Sequence, residues 1–274
     1  MGGTISTKDF RRFCQFIYGR CGINLHEGKR DLVRSRLARR LRALGLSSYK
    51  DYFDRVFEDD NDQEIVYLLD AISTNVTYFF REEKHFDFLT QEVLPALVGK
   101  PRTGANDCIK AWSAGCSSGE EPYSLAITLS EFLEPHSQGC KLLGTDLSTS
   151  VLQKAKQGVY EAGKLENIPR PLLRKYFNPH GDGVFYQVAP RVKSLLRFAR
   201  LNLMHTFPFK GRFDIIFCRN VMIYFDKPTQ ETLVNKFSHV LNPGGYLMIG
   251  HSESLTSIKH DLQYIQPAIY RKKR

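Results

Sequence analysis

Apolar positions change their period near residue 105. Over the first hundred residues they recur at helical spacing with no sustained alternation, which predicts helices. Between Lys29 and Leu44 one stripe holds Val33, Leu37, Leu41 and Leu44. Arg36, Arg39 and Arg42 then project from the rest of the surface, because successive residues turn by about 100°. A further helix is expected from Glu82 to Val98, burying Phe86, Leu89, Val93 and Leu97.

Beyond Pro101-Arg102-Thr103-Gly104, short apolar runs alternate with amphipathic segments, the pattern of a mostly parallel sheet. Strands are expected near Cys108 to Trp112, Lys141 to Thr145, Leu195 to Ala199, Phe213 to Cys218 and Tyr246 to Gly250. Asp226 can cap a helix running to Leu241, which Asn242-Pro243-Gly244-Gly245 ends. From Tyr160 to Lys193 the alternation breaks around Pro169, Pro171, Pro179 and Pro190, and the turn Gly181-Asp182-Gly183 predicts an inserted antiparallel hairpin. Leu262 to Ile265 and Ala268 to Arg271 read as two closing strands. The expected division is a helical domain over 1–74, a connecting motif and helix over 75–105, and an α/β domain over 106–274 with an insertion at about 160–193.

With 274 residues, 42% of them hydrophobic, the chain can bury one large core or a large and a small one. Its apolar runs are far too short to span a bilayer and no charged-then-apolar leader opens it, so a cytoplasmic protein without membrane insertion is expected. Met1-Gly2-Gly3-Thr4-Ile5-Ser6 fits the minimal N-myristoylation pattern, which is short enough to arise by chance. The six cysteines form no C-x-x-C pair and no cluster with histidines, so reduced thiols are expected and no metal.

Charge adds a direction. Residues 1–50 hold 12 Lys or Arg against 3 acids, and residues 51–100 hold 4 against 12, within a net charge of +10. A basic module ahead of an acidic segment suggests a polyanionic partner, without choosing between nucleic acid, membrane surface and acidic protein.

Chemistry gathers where predicted strands end. Trp112-Ser113-Ala114-Gly115-Cys116-Ser117-Ser118-Gly119-Glu120-Glu121-Pro122-Tyr123 follows the first strand and opens a helix. Its small residues allow close backbone approach to a ligand, but two carboxylates at a helix start would repel a pyrophosphate; an ammonium or sulfonium suits them better. Asp146 ends the next strand, placed to accept from both hydroxyls of a ribose or, alternatively, to cap the following helix. Asn202-Leu203 and Arg219-Asn220-Val221-Met222-Ile223-Tyr224 follow later strands, where an amide could read an adenine edge, Asn202 being the stronger turn candidate. Tyr224 reads equally as a packed ring or a catalytic hydroxyl. Asn75-Val76-Thr77-Tyr78-Phe79-Phe80-Arg81-Glu82 is not amphipathic and is expected to be an ordered connection against the second domain, with Arg81 pairing Glu82 or Glu83 as the plain alternative.

In order and over nearly the whole chain, N-x-T-x-F-F-R-E, W-S-x-x-x-S-x-G-E-E-P-Y-S, T-D, F-C-R-N-V-M-I-Y-F and L-x-P-G-G-Y-L-x-I-G-x-S-E-S resemble the CheR-type chemotaxis receptor methyltransferases of bacteria. That resemblance implies an α/β fold with a Rossmann-like class I methyltransferase domain, an N-terminal helical domain and a small inserted antiparallel β-subdomain. It implies S-adenosyl-L-methionine as cofactor, S-adenosyl-L-homocysteine as product, and glutamates on the methylation helices of chemoreceptors as acceptors, which sets receptor adaptation. Cofactor contacts are implied for Asn75, Thr77, Arg81, Glu121, Asp146, Asn202, Leu203, Arg219 and Asn220, with Tyr224 near the methyl group; Arg81 and Tyr224 are the catalytic candidates, Arg81 orienting either the acceptor glutamate or the carboxylate of the cofactor's methionine part. The basic helix around Arg36, Arg39 and Arg42 would face the receptor. Some relatives grip a receptor C-terminal peptide with the inserted hairpin; the brief loop at 178–183 speaks against that here.

An ionised glutamate attacking a sulfonium methyl needs no general base, so His85, His205 and His251 read as structural. The competing reading is a nucleic-acid methyltransferase, suggested by the basic balance; such enzymes often carry an Asn/Asp-Pro-Pro-aromatic turn where Arg219-Asn220-Val221-Met222 stands here. A noncatalytic scaffold is the other, and the intact loop set argues against it.

Overall fold

The computed structural model describes residues 4–58, 62–72, 76–99, 108–136 and 139–274. Gly2, Asn75 and the 101–104 turn lie outside them. Four helices open the chain: α1 (Thr7–Cys21), α2 (Arg30–Ala43), α3 (Tyr49–Glu58) and α4 (Asp62–Ile72). Ser6 caps α1 by accepting the Asp9 N–H at 3.1 Å, and Gly22 ends it at φ 74°, where a side chain would also strike Met204. The helices' apolar stripes close into one core around Phe13, Leu37, Tyr52 and Leu68, all fully buried. Burial of each such side chain stabilises by about 1.5–3 kcal/mol.

Next, α5 (Lys84–Phe88), a π-helical turn (Leu89–Val93) and α6 (Leu94–Val98) follow one another without a break. The expected helix is therefore present, starting two residues late. Its wide turn sits just before Pro95, which has no N–H to give and crowds the preceding carbonyls.

The remainder runs β1 (Cys108–Ala114), α7 (Glu120–Leu133), β2 (Gly139–Asp146), α8 (Thr149–Gln157), β3 (Val159–Glu161), α9 (Arg170–Tyr176), β4 (Phe177–His180), β5 (Phe185–Val188), α10 (Pro190–Lys193), β6 (Leu196–Arg200), β7 (Phe213–Cys218), α11 (Lys227–Val240), β8 (Leu241–Ile249), β9 (Leu262–Gln266) and β10 (Ile269–Lys272). The large sheet has the order β6-β2-β1-β7-β8-β10-β9. Its first five strands are parallel, and β10 is antiparallel to both neighbours. Alternate residues face opposite sides: Ile109 and Ala111 join the core beneath α7, Trp112 and Ala114 the core beneath α11. Since β2 and β7 flank β1 on opposite sides, the order reverses there, and a crevice opens at the carboxyl ends of these strands.

The expected antiparallel insertion is present, with β4 and β5 as its hairpin around Gly181 and Gly183, and it is larger by one strand, because β3 pairs with the other side of β5. Three residues are too few to display an alternation. One expectation needs correction: Asn242 to Gly245 do not separate helix from strand, because β8 already begins at Leu241, with the irregularity absorbed as a register shift between Phe213 and Ile215. All six cysteines are free thiols.

The helical unit docks on the strand ends. Asp70 of α4 accepts the N–H groups of Thr149 and Ser150 at 3.1 and 3.2 Å, at the start of α8. Tyr18 of α1 donates to Asp226 at 2.9 Å, and the Asn24 N–H reaches the Tyr224 carbonyl at 2.8 Å.

Candidate active site

Between the helical unit and the strand ends lies a cavity of about 420 Å³, within the usual range of small-molecule pockets. Thr77, Arg81, Glu121, Asp146, Asn202, Leu203, Arg219, Asn220 and Tyr224 all line it. They come from five segments: four end or follow strands of the large sheet, and the fifth, carrying Thr77 and Arg81, is the connection before α5.

After β1 the chain turns through Gly115, Ser117 and Gly119, with φ of 82°, 48° and 100°. A Cβ on Gly115 would sit 2.4 Å from Val221 Cγ2, so the loops after β1 and β7 approach this closely only with glycine there. The Ser117 N–H donates to Asp146 Oδ2 at 2.8 Å and the Ser148 N–H to Oδ1 at 3.0 Å. Asp146 is 9% exposed, and burial raises its pKa against those N–H donors. Ser148, not Asp146, caps α8. The carboxylate is thus released from capping, and its oxygens can accept further donors.

The paired carboxylates of α7 diverge. Glu120 is fully buried with Ser118 Oγ at 2.7 Å and Lys164 Nζ at 3.0 Å, towards the insertion. Glu121 lines the cavity, accepting from Ser113 Oγ at 2.7 Å and Arg219 Nη1 at 3.1 Å. Burial raises its pKa more than Arg219 lowers it, so a cationic guest would complete its neutralisation.

Arg219, its side chain 1% exposed, ties three segments together. Its Nε donates to Glu82 Oε2 at 3.2 Å, its Nη1 to Glu121, and its Nη2 to the Arg81 carbonyl. For Glu82, burial pushes the pKa up, but the Arg219 charge and the His251 N–H outweigh it and hold the carboxyl low. Phe80 and Glu82 have φ of 56° and 57°, a backbone cost of roughly 1–3 kcal/mol each that the surrounding contacts must hold in place. Phe79 packs edge-on against Tyr160 and Phe177 at 4.9 and 5.4 Å, and the Phe80 N–H donates to Ser124 Oγ at 2.9 Å. The connection therefore lies against the second domain, as its composition suggested. Arg81 pairs with neither Glu82 nor Glu83; its Nη1 donates to the Val76 carbonyl at 2.9 Å.

After β7, Asn220 has φ 58°. Glu253 holds this turn by accepting the N–H groups of Asn220, Ile223 and Gly250 at 3.0, 3.2 and 2.6 Å, and burial raises its pKa against them. Half-buried Tyr224 makes no side-chain hydrogen bond among the described residues. Asn202 is committed: its Nδ2 donates to the Arg20 carbonyl at 2.6 Å and its Oδ1 accepts the Met204 N–H at 3.0 Å. Its amide would have to leave these partners to read a base.

His85 is 1% exposed, and burial, then Arg219, push its pKa down to about 3. It packs as a neutral ring 4.7 Å from His251. Glu82, His85 and His251 bring ligand-type atoms within 4.8 Å of one another, but Arg219 already neutralises Glu82.

Sequence reading missed Glu82, Glu253 and the wall formed by Cys21, Ile23 to His26, Lys29 and Leu32. The two acids stand inside quoted motifs and could have been singled out; the wall has no local signal, since it depends on how the helical unit docks.

The sequence profile described as "CheR methyltransferase, SAM binding domain" matches residues 75–270, and that described as "CheR methyltransferase, all-alpha domain" matches residues 8–73. The "Chemotaxis protein methyltransferase" of Borreliella burgdorferi is 44% identical over 271 residues, covering 98% of this chain and 95% of the relative. That of Salmonella typhimurium is 39% identical over 271 residues, covering 97% and 90%.

Proposed function

This chain belongs to the CheR methyltransferase family, and from that premise we propose how its cavity is shared between cofactor and acceptor. The enzyme is an S-adenosylmethionine-dependent protein-glutamate O-methyltransferase that modifies chemoreceptors in chemotaxis. The proposed division follows the segments: a helical domain over 1–74 that meets the substrate, a connection over 75–105, and a catalytic domain over 106–274.

When bound, S-adenosylmethionine supplies a methyl group on a sulfonium. The observation that supports its placement is the Asp146 carboxylate, buried at the end of β2 beside a glycine loop and not needed as a helix cap. We assign it the ribose hydroxyls, and Glu121, steadied by Arg219, the methionine ammonium. Asn75, Thr77, Arg81, Asn202, Leu203 and Asn220 complete the proposed set. Asp146→Ala is expected to weaken S-adenosylhomocysteine binding about 10–150-fold, the equivalent of ~1.5–3 kcal/mol for lost charge-assisted hydrogen bonds. Asp146→Asn, which keeps an acceptor oxygen, should fall between. Unchanged affinity by calorimetry would remove Asp146 from the site.

The acceptor enters from the side of α2. Arg39 and Arg42 are exposed there, while Arg36 is half-buried and donates to the Ile72 carbonyl. Lys29 and Leu32, on the same side, line the cavity, so the basic face runs up to its mouth. Acidic methylation helices of receptors are the proposed partner, which would place the enzyme in the cytoplasm; no helix among the described residues is long and apolar enough to cross a membrane. Replacing Arg36, Arg39 and Arg42 by Ala should raise KM for receptor and leave S-adenosylhomocysteine affinity unchanged. The double replacement of Arg39 and Arg42 spares the Arg36 bond and should show most of the effect. Added salt should mimic both, since exposed charges are screened beyond about 8 Å. Normal receptor methylation by the triple variant would mean a merely solvated face, and methylation of nucleic acid offered alongside receptor would overturn the acceptor reading.

A further inference from the structure

The inserted sheet grips the loop between β1 and α7 at Ser118 and Glu120, neighbours of residues that line the cavity. We propose that Tyr160 and Lys164 of the insertion are positioning residues for the cofactor. Through a hydrogen bond to Ser118 and a buried ion pair with Glu120, they hold this loop in the shape that binds S-adenosylmethionine. The inference rests on the assignment of Asp146 and Glu121 to the cofactor.

Glu120 is fully buried, so its carboxylate depends on the donors around it. Ser118 Oγ donates to one oxygen at 2.7 Å, and Lys164 Nζ, from the short turn after β3 (Ala162–Leu165), donates to the other at 3.0 Å. Tyr160, buried in β3, donates its hydroxyl to the Ser118 carbonyl at 2.7 Å. The residues next in sequence carry the cofactor roles: the Ser117 N–H orients Asp146, and Glu121 accepts from Arg219. The grip reaches a second wall of the cavity as well. The Glu120 carbonyl accepts from Ser124 Oγ at 2.7 Å, and that oxygen accepts the Phe80 N–H at 2.9 Å. Phe79, in the same connection as Thr77 and Arg81, packs edge-on against Tyr160 and Phe177 of the insertion.

Attachment alone does not call for this arrangement. An apolar contact of similar volume stabilises as well as a buried ion pair, or better. What the polar contacts add is direction, because each fixes one polar atom on a loop that needs fixing. Ser117 holds φ 48° and Gly119 φ 100°, and a non-glycine residue in the left-handed region persists only where its surroundings over-determine it. The insertion carries a second ionic contact to α7 that provides an internal comparison. Lys175 of α9 pairs with Glu131 and Glu134 at 2.6 and 2.9 Å, at the end of α7 far from the cofactor loop. Both contacts join the same two parts of the protein, and one alone touches the loop.

The test sets S-adenosylhomocysteine affinity, measured by calorimetry, beside steady-state kinetics of the full chain. Lys164→Met should weaken binding about 2–30-fold, the range for residues that bias a site without touching its ligand. It should raise KM for S-adenosylmethionine and leave KM for receptor unchanged. Lys164→Arg, which keeps the charge, should restore most of the affinity. Because Lys164→Met strands a buried carboxylate, it is also combined with Glu120→Gln; the double variant should regain thermal stability and keep the affinity loss. Lys175→Met should bind normally. The positioning role is overturned by normal binding in Lys164→Met, by no rescue in Lys164→Arg, by affinity that recovers together with Tm in the double variant, or by an equal loss in Lys175→Met. Asp146→Ala, measured alongside, separates the two readings. Weakened binding there with normal binding in Lys164→Met removes the brace alone, whereas normal binding in both removes the cofactor assignment and the brace with it.

Discussion

Replacing Arg219 with methionine should cost the protein about 3–5 kcal/mol of stability, the penalty for leaving a buried ionic partner uncompensated. For a chain of this size that corresponds to a fall in Tm of roughly 6–20 °C. Arg219 is nearly inaccessible and bonds to two carboxylates and one carbonyl. Methionine fills similar space but leaves Glu82 and Glu121 as neighbouring anions in a poorly solvated place. The pH dependence identifies the cause. In the wild type, Glu82 has its pKa held below the ordinary value, so its ion pair contributes stability above the unfolded-state pKa, and that contribution is lost as pH falls through the folded value. In the variant the Arg219 charge no longer offsets burial, and the His251 N–H to Glu82 and the Ser113 hydroxyl to Glu121 are left to stabilise two neighbouring carboxylates, whose ionisation is therefore disfavoured. The gap between wild type and variant should therefore be widest at neutral pH and shrink as the buffer is brought below about pH 5. Glu82→Gln in the same background should recover part of the loss. Denaturation that finds a pH-independent gap, or none, would mean that Arg219 contributes packing and not charge balance. S-adenosylhomocysteine affinity should fall as well, because Glu121 loses its anchor.

The architecture was legible because the second domain repeats one signal, a short apolar strand followed by an amphipathic helix, and the loops after β1, β2 and β7 carry uncommon residue strings. β3 was hidden: three residues, Val159–Glu161, cannot show a period and acquire strand character only by pairing with β5. The helical stripe of α2 located Val33, Leu37 and Leu41 correctly, but spacing alone could not tell that Arg36 turns back to the Ile72 carbonyl. That bond depends on where α4 ends. The same limit applies to Asn202: its place after a strand put it at the cavity, but spacing could not tell that its amide bonds the Arg20 carbonyl, about 180 residues away, and the Met204 N–H. Local pattern placed side chains at strand ends; it could not assign hydrogen-bond partners that lie far along the chain, such as Arg20 for Asn202 and Glu82 for Arg219.

Tyr224→Phe should lower kcat by about a hundredfold, the scale of a misplacement near 1 Å at a reacting centre, while changing stability by less than ~0.5 kcal/mol. The tyrosine lines the cavity half-buried, and its hydroxyl has no protein partner among the described residues, so its removal breaks no internal bond. Its backbone is fixed, since its carbonyl accepts the Asn24 N–H and Glu253 pins the preceding residue. A fixed phenol with a free O–H can orient an incoming carboxylate oxygen for in-line attack, which requires alignment and no proton abstraction. Arg81 is the second half of the proposal. It spends one N–H on the Val76 carbonyl, and its guanidinium has further donors to offer. Arg81→Ala should reduce turnover strongly, and calorimetry then decides its partner: weakened S-adenosylhomocysteine binding places the guanidinium on the cofactor, whereas retained binding with a raised KM for receptor places it on the acceptor. Near-normal turnover in both Tyr224→Phe and Arg81→Ala would show that these side chains only pack, and would move the reacting centre elsewhere along the cavity.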